Sequence, residues 1–65
     1  MYVKNDVYVC LSKKQKAQFD KIESLERFVL NDEQIKEIND FRLLLIELFD
    51  HDEKMQSFCK GLWVR

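Results

Sequence analysis

The densest apolar run in the chain is Phe41-Arg42-Leu43-Leu44-Leu45-Ile46-Glu47-Leu48-Phe49, where seven of nine residues are hydrophobic. It falls far short of the roughly 20 apolar residues that a membrane span needs. It holds no Pro or Gly, and Leu, Glu and Arg are good helix formers, so the run predicts a helix. Successive residues step by about 100°, so Leu43, Leu44, Leu45 and Ile46 sweep most of the circumference. A helix apolar nearly all round must be covered on nearly all sides. The run is therefore expected to be the central helix of a small fold or a dimer interface. Phe41, Leu44, Leu45, Ile46, Leu48 and Phe49 are its candidate core or dimer contacts.

The same pattern extends in both directions. Asn31 followed by Gln34 makes a capping-box variant, and Asp32 and Glu33 suit a first helical turn. From there Ile35, Ile38, Phe41, Leu45 and Leu48 point inward. The register Ile38, Phe41, Leu45, Leu48, Asp52, Met55, Cys59, Leu62 is apolar at seven of eight positions, which allows one long helix to Lys60. Asp50-His51-Asp52-Glu53 interrupts it with polar residues and N-cap candidates, so a break and a short third helix from Glu53 to Lys60 are preferred. Gly61 suits a C-terminal cap, and Leu62-Trp63-Val64 should pack back onto the body.

Before the central run, Ser12 is a good N-cap. Phe19, Ile22, Leu25 and Val29 then fall on one helical stripe, with Phe28 at its edge. This predicts a helix from about Lys13 to Phe28 or Leu30. The opening residues read differently. Val7-Tyr8-Val9-Cys10-Leu11 is β-branched and aromatic, and Asn5-Asp6 is a turn signal. Alternation places Val7, Val9 and Leu11 on one face of a strand, with Tyr8 and Cys10 on the other. Tyr2-Val3-Lys4 could pair with it as a small hairpin. The expected fold is thus mainly α with a short N-terminal β element: a strand or hairpin, then two or three helices, in a dimer.

Length and composition fit one small domain covering residues 1–65. A chain this short buries only about 60% of its unfolded surface. It has 46% hydrophobic and 35% charged residues, one Gly and no Pro, which suits long regular elements rather than disorder. Net charge is −1, with +2 on residues 1–30 and −3 on residues 31–65. That balance is not the strongly basic one of a generic nucleic-acid binder. Lys13, Lys14 and Lys16 nevertheless cluster at a helix start, where they oppose the dipole.

Candidate chemistry is sparse. Cys10 and Cys59 match no metal or redox spacing, and a disulfide between them requires the fold to bring the chain ends together. The N-terminus lacks a signal-peptide pattern, so a reducing cytoplasm is the expected location. His51 among Asp50, Asp52 and Glu53 has no His or Cys partner at ligand spacing. No third group completes a Cys–His nucleophile pair, and the lone glycine makes no phosphate loop. Neither an enzyme nor a bound cofactor or metal is expected, and no membrane partner is.

Val7-x-Val9-x-Leu11-Ser12, followed by Phe19-Asp20 and Ile22-Glu23, resembles the opening of ribbon-helix-helix proteins over residues 7–23, and more loosely over 31–46. The resemblance implies a dimer whose paired strands enter the DNA major groove, with Asp6, Tyr8 and Cys10 facing the DNA. Asp6, Asp32 and Glu33 fall where phosphates would approach. The leading expectation is therefore a small regulatory protein that binds another protein, in the manner of phage or mobile-element inhibitors and antitoxins. A dimeric ribbon-helix-helix DNA-binding regulator is the alternative. Tyr8, Phe28 and Trp63 are the candidate aromatic anchors of a partner contact, with Lys13, Lys14 and Lys16 around them.

Overall fold

The computed structural model of the chain describes residues 2–64. Four helices follow one another: α1 (Lys4–Tyr8), α2 (Lys13–Leu25), α3 (Asp32–Leu48) and α4 (Glu53–Lys60). No strand occurs among the described residues.

The expected N-terminal β element is therefore corrected to a short helix and a turn. The burial pattern gives the physical reason. Val7 and Leu11 are buried while Val9, between them, is 59% exposed. α1 ends at Tyr8. Tight turns, closed by the Cys10 N–H on the Val7 carbonyl and the Leu11 N–H on the Tyr8 carbonyl, bring Leu11 inward and leave Val9 out. Strand alternation would have buried all three. The Asp6 carboxylate accepts the Val3 backbone N–H at 2.7 Å, and a negative charge at a helix start is favourable. Asn5 and Asp6, read as a hairpin turn, lie inside α1. The ribbon that the resemblance implies needs a strand at residues 7–11, and the described chain has none there.

α2 starts where its cap directs. Ser12 Oγ accepts the Gln15 backbone N–H, and the Gln15 side chain accepts the Ser12 N–H at 3.0 Å. α2 ends at Leu25, earlier than the stripe predicts, so Val29 leaves the buried face and is 99% exposed. Asn31 and Gln34 form the same reciprocal box at the start of α3. α3 is the spine. It buries Ile38, Phe41 and Leu45, whereas Ile35 and Leu48, expected inward, are each 39% exposed. Phe49 ends the run buried, Ile46 packs half-buried against the core, and Leu44 is 39% exposed.

The expected break falls at residues 49–52. Asp52 caps α4 by accepting the Met55 N–H at 3.0 Å. The chain then runs back antiparallel along α3: Gln56 Nε2 donates to the Ile46 carbonyl, and Arg42 donates to the Leu62 carbonyl at 3.2 Å. α2 is tied to α3 by the Lys21–Glu37 ion pair at 3.0 Å, and α1 to α2 by Lys4 with Glu23 and Glu26. Inside, Phe19, Phe41 and Trp63 pack as an aromatic cluster with centroids 5.1–6.5 Å apart. The left-handed residue of the C-terminal turn is Trp63 (φ 53°), not Gly61, whose φ is −91°.

Asp52 makes the acid limb of stability testable. The Met55 backbone N–H and the Tyr2 hydroxyl (2.9 Å) hold its carboxyl below the usual carboxylate range. A folded-state pKa below the unfolded one gives stability that is fully present above the ordinary value of 3.8. That stability is lost as pH falls through the lowered folded value. Asp52→Asn keeps a capping oxygen without the charge, so its stability should fall less steeply than the parent's in acid. Parallel acid limbs in urea titrations of the two proteins would refute this.

Candidate protein-binding surfaces

The corner between α1 and α2 gathers four of the candidate residues. Tyr8 ends α1 half-buried, with its ring edge-on to Phe19 at 5.4 Å. Its hydroxyl donates to Asp20 Oδ2 at 3.4 Å. Burial first, then the Asp20 carboxylate, raises the Tyr8 hydroxyl pKa above its usual value, so it stays a neutral donor. The Lys16 ammonium sits 5.5 Å from the Tyr8 ring centre, a cation–π contact worth about 0.5–1 kcal/mol at an exposed site. Between them the chain turns through Val9 and Cys10, both exposed, to Lys13 and Lys14 in the first turn of α2. No described carboxylate pairs with Lys13 or Lys14. Charge on these lysines faces water.

A second surface lies beyond the C-terminal end of α2. Phe28 (64% exposed) and Val29 stand in solvent in the loop between α2 and α3. Beside them a groove of about 180 Å³ is lined by Leu30, Ile35, Ile38, Asn39, Arg42 and Trp63, with Val64 at its edge. Trp63, an expected anchor, is only 6% exposed. Its indole N–H donates to Glu23 Oε1 at 2.7 Å, so it forms part of the groove floor rather than a protruding contact. Tyr8 thus lies at the corner, apart from the loop that carries Phe28 and the groove that Trp63 floors. The groove was invisible in the sequence, because it joins residues 30–42 to the returning C-terminal segment. The available signal was the pairing of an apolar tail with Arg42, the one positive charge inside the apolar run, whose other charge is Glu47.

The remaining chemistry is quiet. Among the described residues no group of three or more His, Cys, Asp or Glu could hold a metal ion. His51 is exposed, with Nδ1 3.8 Å from Asp50. Cys10 and Cys59 are both free thiols, and burial pushes the Cys59 thiol up to about 11, which disfavours the reactive thiolate at neutral pH. No helix among the described residues is long and apolar enough to cross a membrane. Comparison with protein-family models, with curated proteins and with solved structures found no match.

Proposed function

We propose that this chain is a small non-enzymatic regulatory protein that acts by binding another protein through the α1–α2 corner. The observation that carries the reading is the corner's composition. An aromatic ring, an exposed aliphatic side chain at Val9 and two unpaired lysines lie within one turn of chain. Aromatic anchors ringed by charge suit a protein partner, with the ring supplying affinity and the lysines steering an acidic surface into place. Asp6 and Asp20 border the same corner and would repel a phosphate backbone, which favours protein over DNA. The mechanism is occlusion of the partner's surface, as in inhibitors and antitoxins.

Two variants separate the roles. Lys13→Glu/Lys14→Glu should mainly slow association with an acidic partner retained from the protein's own cells, and should weaken its salt dependence. Tyr8→Ala should mainly speed dissociation. A partner indifferent to both changes would remove the corner from the mechanism. Retention of duplex DNA at about 150 mM salt, lost in Lys13→Ala/Lys14→Ala, would replace this reading with DNA binding, since phosphate contacts dominate such retention.

A further inference from the structure

The groove and the loop beside it are parts of one surface. Leu30 follows Val29 in the loop and also lines the groove. The loop is the most exposed apolar segment of the described chain, with Phe28 64% and Val29 99% exposed. At about 180 Å³ the groove is smaller than the roughly 300–1,000 Å³ typical of small-molecule sites. It has room for one or two side chains.

We propose that the occupant of this groove is the Phe28–Val29 loop of a second copy of the chain, in a two-fold dimer. A two-fold contact is self-complementary: if the loop of one copy fills the groove of the other, the reverse contact forms at the same time. A knob and a socket that are neighbours on one surface meet that requirement.

Charge complementarity points to the same occupant. Arg42 reaches the groove with one guanidinium nitrogen donating to the Leu62 carbonyl. It forms no ion pair with any described carboxylate. The loop runs directly into Asp32 and Glu33, both exposed and also without an ion pair among the described residues. Seating the loop in the facing groove carries these two carboxylates toward the Arg42 of that copy, twice per dimer. A partly desolvated Arg–carboxylate pair fixes orientation as well as adding attraction.

The size is also consistent. A standard interface takes about 800 Å² from each partner, roughly a sixth of this chain's 4809 Å² of accessible surface. The groove alone is too small for that. Loop and groove together, with Ile35 and Val64 of the groove lining themselves exposed, span a larger area, and each copy contributes both halves. This inference stands apart from the α1–α2 corner, which lies elsewhere. The dimer would present that corner in two copies.

Sedimentation of the full chain from low micromolar to several hundred micromolar tests the proposal, with circular dichroism confirming that each variant is folded. A monomer–dimer equilibrium is expected. Val29→Asp should weaken it by about a hundredfold and Phe28→Ser by about tenfold or more, with little change in melting because both side chains are exposed. Arg42→Glu should also weaken the dimer, and Asp32→Arg/Glu33→Arg added to it should restore much of the association. A parent protein that stays monomeric at several hundred micromolar overturns the proposal. So does a dimer untouched by the loop variants but broken by Leu44→Asp/Leu48→Asp, which would move the interface to another face of α3.

Discussion

Replacing Phe41 with alanine is expected to remove most of the protein's stability. Phe41 is 1% exposed and sits on the spine helix between Phe19, 6.5 Å away edge-on, and Trp63 at 6.0 Å. Phe→Ala in a packed core costs about 3–5 kcal/mol, the lost transfer energy plus the cavity left behind. Each lost aromatic pair adds about 0.5–1.5 kcal/mol beyond area. Domains are stable by about 0.05–0.15 kcal/mol per residue, so a 65-residue chain has roughly 3–10 kcal/mol to lose. Leu45→Ala, at a fully buried position one turn on, should cost about 2–5 kcal/mol. Leu43→Ala is the internal control. Its side chain is 58% exposed, and surface substitutions of that kind usually stay within about 0.5 kcal/mol. Urea unfolding of the three variants measures all of this. Equal losses at 43 and 45 would show that α3 does not turn Leu45 in and Leu43 out.

That contrast marks how far the sequence carries the fold. The run 41–49 identifies the central helix, because seven apolar residues must be covered. It does not identify which side is covered, because a stripe this wide has no edge in the sequence alone. The ends of α3 and α4 were legible because Asn31, Gln34 and Asp52 carry side-chain oxygens that satisfy the first free N–H groups. The N-terminus was misread because β-branched residues at 7 and 9 favour strand locally, while tertiary burial selects Val7 and Leu11 and leaves Val9 out. A signal against the strand was present in Asp6, placed three residues after Val3 where it caps a helix. At the candidate surfaces, the lysine cluster and Tyr8 were legible because they are neighbours in sequence. Phe28 was legible only as the edge of a stripe, since its exposure depends on α2 stopping at Leu25. The groove was not legible, because it exists only once residues 62–64 have returned to α3.

Trp63 is expected to show the second-largest effect, and its three variants should fall in an unusual order. Trp63→Phe keeps an aromatic ring between Phe19 and Phe41 but loses the 2.7 Å donor to Glu23. Glu23 retains Lys4 at 3.0 Å, so its charge is not stranded, and the cost should be about 1.5–3 kcal/mol, the range for a hydrogen bond to a charged group. Trp63→Ala also empties the aromatic cluster and should cost about 3–5 kcal/mol. The backbone decides the third case. Trp63 has φ 53°, a left-handed conformation that costs a residue with a Cβ roughly 1–2 kcal/mol and glycine almost nothing. Glycine is usually the worse replacement, because its unfolded chain is freer by about 0.4–1 kcal/mol. Here relief of the left-handed strain should outweigh that entropy, so Trp63→Gly is expected to be as stable as Trp63→Ala or up to about 1 kcal/mol more stable. Thermal or urea unfolding followed by circular dichroism reads the order without relying on the tryptophan itself. A glycine variant clearly less stable than the alanine one would mean that residue 63 abandons the left-handed turn once its ring is gone. The aromatic contacts, rather than the returning chain, would then be what holds that turn in place.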